Sequence, residues 1–348
     1  MAIHGPAIFR DFRNPEPDLD NASILITGGT GSFGRELAKT VISRYRPKKT
    51  IIFSRDEFKQ SDMAQDFPGN ENPSIRFFIG DVRDCDRLEL AMRNVDYIFH
   101  GAALKQVPAA EYNPIECIKT NIMGAENVVR ASIRANVKKI IALSTDKAAN
   151  PINLYGASKL ASDKIFVAAN NLSGEDGPRF SVVRYGNVLN SRGSVLPLFR
   201  KLIDDKAESL PITDPEMTRF WITLKQGINF VLSSLAMMRG GEIFIPKIPS
   251  MRATDMAEAI APGKKQHTIG PRPGEKLHEI MITPDDARDT LELDDRYIIK
   301  PAFLFSGEKF QTINGARHVG ERFSYASNTN TEWMDKGGLL SLLNDESL

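Results

Sequence analysis

Ser23-Ile24-Leu25-Ile26-Thr27-Gly28-Gly29-Thr30-Gly31-Ser32-Phe33-Gly34 is the stretch whose reading decides the fold. A short apolar run of this kind suits a strand buried on both faces. It runs straight into glycines at 28, 31 and 34, and a helical stretch begins near Arg35. In a strand–loop–helix of this spacing the first glycine permits a tight turn and the second lets the backbone approach a pyrophosphate. The third lets helix pack closely on strand. Backbone N–H groups at the helix start then face phosphate charge. Gly28, Thr30, Gly31, Ser32, Phe33 and Gly34 are therefore expected to cradle a dinucleotide; the strand before and helix after give the glycines their weight.

Outward from this loop, β-branched runs alternate with amphipathic stretches, the pattern of a parallel sheet covered by helices. Strands are expected at Ser23–Thr27, Thr50–Ser54, Ile75–Ile79, Tyr97–His100, Lys139–Leu143 and Ser181–Arg184. The fold class is α/β, a Rossmann-type doubly wound parallel sheet with a smaller C-terminal substrate-binding lobe. Residues 1–20 read as a polar arm without settled order, 21–186 as the dinucleotide-binding domain, and 187–348 as the substrate lobe, some of whose elements can return to the sheet.

Composition narrows the function. The 348 residues carry 45 basic and 44 acidic side chains, a net charge of +1, which gives no sign of a nucleic-acid binder. No apolar run approaches the roughly 20 residues that span a bilayer, so no membrane association is expected. Residues 1–20 lack the apolar centre of a signal peptide, and the two cysteines, Cys85 and Cys117, have no metal-ligand spacing around them. A cytoplasmic protein with free thiols and no metal is the expectation.

The second strand ends in Ser54-Arg55-Asp56, with Lys59 close behind. An acid here favours NAD by holding ribose hydroxyls, whereas a basic residue accommodates the 2′-phosphate of NADP. Arg55 and Lys59 lean toward NADP and Asp56 leans the other way. Asp81 and Val82 are placed to meet the adenine, and Gly101, Ala102 and Ala103 to let backbone pass close to the cofactor; Val188 is assigned to the same side.

The fifth strand delivers Ser144-Thr145-Asp146-Lys147, and Tyr155-Gly156-Ala157-Ser158-Lys159 follows. A Tyr and a Lys four apart share one helix face. A phenol titrates near pH 10 unaided, and a neighbouring ammonium favours the phenolate. Lys159 is expected both to lower Tyr155 in this way and to hold the nicotinamide ribose. A plain reductase or 4-epimerase needs this pair and a Ser or Thr. The additional acid–base pair Asp146–Lys147 points to a second proton transfer, unless the two form a structural ion pair.

The segments TGGTGSFG, SRDEFK, ALKQVPAAEYNP, STDKAANPINLYGASK, RYGNVLNSRGSVLP, TRFWIT, FIPKIPSMRATDMA and RPGEKLHE together resemble the C5-inverting UDP-N-acetylglucosamine 4,6-dehydratases of the extended short-chain dehydrogenase/reductase superfamily, which open the pseudaminic acid pathway. The resemblance runs from about Asn21 nearly to the C-terminus. It implies that Tyr155 takes the sugar 4-hydroxyl proton while NADP accepts hydride from C4, with Thr145 bonded to the same oxygen. Lys147 would remove the C5 proton, which requires a neutral amine part of the time. Asp146 would protonate the departing C6 hydroxyl, and hydride would return to C6, an internal shuttle. For UDP-N-acetylglucosamine it implies contacts from Asn187, Arg192, Gly193, Ser194, Val195, Leu196 and Arg272, with Lys105 reaching substrate and cofactor and Thr213 on the uracil side. Arg219 reads equally as ligand contact and as packing residue, while Phe220, Trp221 and His100 read as core. A homo-oligomer, dimer or hexamer, is implied as well. A C5-retaining dehydratase, a 4-epimerase and an NADP-sensing regulatory protein stay open as alternatives.

Overall fold

The computed structural model describes residues 5–69, 72–189, 194–302, 310 and 313–345. Its largest sheet has ten strands, here numbered in chain order: β1 Ser23–Thr27, β2 Lys49–Ser54, β3 Ile75–Ile79, β4 Tyr97–His100, β5 Lys139–Thr145, β6 Arg179–Tyr185, β7 Ile243–Pro246, β8 Thr290–Glu292, β9 Arg296–Ile299 and β10 Arg317–His318. Across the sheet they run β3-β2-β1-β4-β5-β6-β7-β9-β8-β10. β3 through β7 are mutually parallel, and β9, β8 and β10 continue antiparallel. The order reverses between β1 and β4, and a doubly wound sheet opens its ligand crevice at the carboxyl ends of the strands flanking that point.

The central strands are apolar and buried, as two-sided cover by helices requires. Ile24, Leu25, Ile26, Ile52, Phe53, Ile98, Phe99, Ile140 and Ile141 are all core. The expected strands are all present, and three run longer than their apolar runs because ladder bonds to neighbours continue past them. β5 in particular reaches Thr145, which fixes the backbone entering the Asp146–Lys147 segment.

Chain beyond residue 187 serves two purposes. Four strands, β7 to β10, return to the large sheet. The rest builds a five-stranded sheet in the order Gly5–Pro6, Glu332–Trp333, Ser250–Arg252, Thr218–Ile222, Asn187–Val188, together with two small two-stranded sheets. Phe220 and Trp221 are buried in this region as expected of core residues.

The described part of the N-terminal arm, from residue 5, is tied down, in contrast to its polar sequence. Gly5 and Pro6 pair in parallel with Glu332 and Trp333, and Arg10 forms a two-point ion pair with Glu332, both contacts at 2.8 Å. Phe12 and Leu19 are fully packed, Phe12 edge-on to Phe230. Side chains of the Leu224–Met237 helix reach it too: Gln226 donates to the Arg10 carbonyl and Asn229 to that of Asp11. Apolar residues isolated among charges gave the sequence reading no periodicity to follow.

Candidate active site

The glycine loop has the conformation its spacing demands. Gly28 has φ of 67°, and a Cβ there would stand 2.9 Å from the Ala102 backbone of the neighbouring loop. At Gly34 a Cβ would meet Gly29 at 2.5 Å, so the helix Ser32–Arg44 lies directly on the turn and aims its N-terminus over it. Thr27 shares a 2.8 Å hydrogen bond with His100, joining the ends of β1 and β4, and its hydroxyl also accepts from the Ala102 N–H. His100 is wholly buried, which lowers its pKa to about 3 and keeps it neutral and structural.

At the end of β2, Asp56 is occupied with its own helix. One oxygen accepts from the Lys59 backbone N–H at 3.0 Å, capping Glu57–Gln65, and the other pairs with the Lys59 ammonium at 3.1 Å. These bonds hold its pKa below the usual carboxylate range. Arg55 is half exposed and stands 3.6 Å from Asp81. Asp81 is held mainly by Arg83 at 2.6 Å, which outweighs its burial and keeps it ionised. Ser54 is buried beneath, accepting from Gln60, and Val82 is a core residue. Lys59 is thus committed to Asp56, while Arg55, more loosely paired with Asp81, presents an exposed guanidinium at this corner.

Past β5 the chain turns through a short 3-10 helix, Asp146–Ala148, into the long helix Leu154–Ser173, which Asn153 caps by accepting from the Gly156 N–H at 2.7 Å. Tyr155 and Lys159 stand one turn apart at the start of that helix. Lys159 is buried and donates to the Leu143 carbonyl at 2.7 Å; burial lowers its pKa, partly offset by Asp163. Tyr155 differs from expectation. Burial raises its pKa to about 12, and the cation that opposes this is Lys147, helped by a hydrogen bond with Thr145, rather than Lys159.

Lys147 also departs from expectation. Its ammonium lies 3.0 Å from Asp146 and 3.0 Å from Glu279. Burial opposes its charge, but the two carboxylates together outweigh burial and raise its pKa above the ordinary lysine range. In this state the amine is protonated, not free to act as a base. The missing element in the sequence reading was Glu279, a buried acid contributed from more than a hundred residues away. Asp146 is fully buried and also accepts from the Thr145 hydroxyl at 2.9 Å.

Glu279 arrives with the segment RPGEKLHE, residues 272–279. Arg219 resolves as the residue that holds this segment: its guanidinium donates to the Thr218, Lys276 and Leu277 carbonyls and pairs with Glu275 at 3.5 Å. Lys276 donates to the Ala149 carbonyl at 2.7 Å, and Asn153, besides capping the helix, donates to the Gly274 carbonyl at 2.7 Å. A second residue absent from the sequence reading, Asn121, bonds the Leu104 backbone through both its amide groups and donates to Ser158, steadying the loop that carries Lys105.

The substrate-side residues are spread around the second sheet. Asn187 and Val188 pair with Trp221 and Ile222. Ser194 precedes the helix Val195–Asp204, and its hydroxyl is buried without a partner. Leu196 is core and Val195 packs inward, so these two can offer a ligand only backbone. Arg192 and Gly193 lie outside the described residues. Thr213 is half-buried beyond the strand Ser209–Ile212, and Arg272 and Lys105 are exposed, as are Gly101 and Ala103.

Residues 24–301 match the family described as polysaccharide biosynthesis protein. The chain belongs to that family. Its architecture is that of the Rossmann-type short-chain dehydrogenases and epimerases, and the resemblance read from its motifs holds. A relative from Campylobacter jejuni, named UDP-N-acetylglucosamine 4,6-dehydratase (inverting), is 56% identical over 94% of this chain and 98% of its own length. A Rickettsia canadensis protein named UDP-glucose 4-epimerase is 42% identical over 80% of this chain and 82% of its own. Among solved structures, Pen from Bacillus thuringiensis superposes with a TM-score of 0.86 at 35% identity, covering 95% of this chain and 99% of that one. DesIV, a dTDP-glucose 4,6-dehydratase from Streptomyces venezuelae solved with NAD, shares the fold, with a TM-score of 0.65 at 22% identity over 73% of this chain and 86% of its own.

Proposed function

We propose that the protein is an NADP-dependent UDP-N-acetylglucosamine 4,6-dehydratase that inverts C5, acting in the cytoplasm as a homo-oligomer at the head of pseudaminic acid synthesis. The observation that carries a dehydratase over a 4-epimerase is the Lys147 ammonium lodged between Asp146 and Glu279, beside Thr145 and Tyr155. An epimerase has a single proton to move, at the 4-hydroxyl; this site holds a second proton-transfer centre. The N-acetyl group and the inverting outcome rest on the 56% identical relative.

The glycine loop fits a dinucleotide, since its backbone stands where any larger residue would collide. Gly28 to Gly34 would hold the pyrophosphate and Lys159 the ribose. Arg55 would meet the 2′-phosphate, with Asp56 already committed to Lys59. When bound, NADP would supply a hydride acceptor for C4 and a donor for C6, and the positive charge of its oxidised form would favour loss of the Tyr155 proton.

Tyr155 takes the 4-hydroxyl proton as C4 becomes a ketone, and Thr145 bonds the same oxygen. The ketone acidifies C5–H. A neutral amine at Lys147 and a protonated Asp146 are both needed next, and one proton passed from Lys147 to Asp146 creates the two together. Lys147 then removes the C5 proton, Asp146 gives its proton to the C6 hydroxyl, water departs, and the original ion pair is restored. With hydride returned to C6, C5 would take one proton on the opposite face, which balances the proton that Tyr155 took from the 4-hydroxyl.

Incubation with UDP-N-acetylglucosamine and NADP should yield a product lighter by one water in mass spectrometry. Run in D₂O, it should carry deuterium at C5, and run in ordinary water the product should show the H5 couplings of the L-arabino 4-keto sugar. Lys147→Ala should still reduce cofactor on adding substrate, while losing water-forming activity by about 100-fold or more, the range for a general base starting at about that value. A product of unchanged mass would make the protein a 4-epimerase, and a D-xylo first product would make it a retaining dehydratase.

A further inference from the structure

Glu279 is 1% exposed, and its carboxylate is surrounded by charge. Oε1 lies 3.0 Å from Lys147 and 3.8 Å from the Arg219 Nε, and Oε2 lies 3.8 Å from Lys276. Its backbone is pinned from a different direction: Glu279 donates to the Ser327 hydroxyl at 2.9 Å, and the Ser327 N–H donates back to the Glu279 carbonyl at 2.8 Å. Thr218 shares a 2.7 Å bond with the same hydroxyl. The side chain is therefore delivered to Lys147 by a rigid mount that spans three separate chain segments.

A buried carboxylate serving structure alone fills both oxygens, because an unfilled one keeps its desolvation cost. Here Glu279 Oε2 is buried without a hydrogen-bond donor, and so is Asp146 Oδ2. Two acids flank one amine, each with an unfilled oxygen. The groups facing Lys147 are the anions Asp146 and Glu279, the cations Arg219 and Lys276, and the Tyr155 phenol. Without the Glu279 charge, three cations would share one facing carboxylate, Asp146, while Glu275 pairs with Arg219 and accepts from the Arg272 backbone N–H.

We propose that Glu279 is a positioning residue of the dehydration centre, holding the Lys147 ammonium against Asp146 so that the proton this pair exchanges starts from a fixed place. Glu279 forms no bond to the sugar and stabilises the ammonium each time it is restored. The inference rests on the dehydratase reading for its catalytic consequence, but its physical content is a property of the resting protein.

Two measurements on the full-length protein test it. In the first, competitive acetylation of lysines across pH, read by peptide mass spectrometry, reports the protonation of Lys147 without any turnover. Glu279→Gln should move the Lys147 profile to lower pH by about one unit or more, the size expected from losing one adjacent opposite charge, and Glu279→Asp should move it less. In the second, cofactor reduction and water loss are followed separately with UDP-N-acetylglucosamine. Glu279→Gln should keep the rate of cofactor reduction within about threefold and lose water formation by about 10- to 100-fold. The alkaline limb of water formation should shift down, because Lys147 then surrenders earlier the proton that Asp146 must deliver.

An unmoved Lys147 profile overturns the proposal whether or not the protein proves to be a dehydratase. Equal losses of both half-reactions with an unmoved alkaline limb would make Glu279 a structural residue and overturn it too. Failure of the wild-type protein to release water would overturn the dehydratase reading instead, and the acetylation profile would still judge Glu279.

Discussion

At the scale of single residues, the same side-chain types do different work according to what holds them. Asp56 looks in sequence like the acid that selects NAD, but both its oxygens are taken by Lys59, one through the helix cap and one through the ammonium. On the proposed reading, Arg55 sets cofactor choice. Arg55→Ala should weaken NADP binding by about 10- to 100-fold, the worth of one lost charge-assisted contact of about 1.5–3 kcal/mol. NAD binding should scarcely change, and titration of both cofactors checks this; equal losses would remove Arg55 from the role. Tyr155, Lys159, Asp146 and Lys147 could be picked from their spacing, because four residues make one helical turn and a strand end faces the crevice. Their protonation could not. Lys147 was expected to be neutral part of the time because removing the C5 proton requires a free amine, and nothing near it in sequence, apart from Asp146, carries the negative charge that opposes this. The second carboxylate, Glu279, lies in a segment whose apparent interest was Arg272, and no periodicity links residue 147 to residue 279.

At the scale of elements, the first six strands were legible because buried parallel strands write themselves as apolar runs, and the glycine loop because its backbone tolerates nothing larger. The later elements were not, since their strands are two to five residues long and draw partners from distant chain. Asn153 shows how such elements are joined. Its side chain caps the helix of Tyr155 through the Gly156 N–H and grips the Gly274 carbonyl, both at 2.7 Å. Asn153→Ala should cost about 1–2 kcal/mol from the lost cap, seen as a lower melting temperature. It should also release the segment that carries Glu279, so water formation should fall more than cofactor reduction. Asn153→Asp keeps the acceptor but loses the donor to Gly274, so it should restore most of the melting temperature and little of the water formation.

At the scale of the whole molecule, the arm acts as a strap. It starts as a strand beside Glu332–Trp333, passes under Arg10–Glu332, buries Phe12 against Phe230 and ends by packing Leu19 in the core of the large sheet. Arg296, almost wholly buried, reaches from β9 to the Asn14 carbonyl and stacks over Phe230. Phe12→Ala should destabilise the fold by about 3 kcal/mol, at the lower end for a buried phenylalanine, and thermal or denaturant unfolding checks it. A loss below about 1 kcal/mol would mean that the arm merely rests on the surface.

The bond from Lys276 to the Ala149 carbonyl joins residues 127 positions apart. A growing polypeptide therefore completes its glycine loop, Tyr155 and Lys159 long before the acid that steadies Lys147 has been synthesised. Contacts so distant along the chain form late and slowly. A nascent or C-terminally shortened product would hold the parts for oxidation while lacking the fittings for elimination, so it would risk stranding a reactive keto sugar. On the proposed reading, placing Glu279 and its support Ser327 so late in the chain makes the elimination, though not the oxidation, conditional on their synthesis.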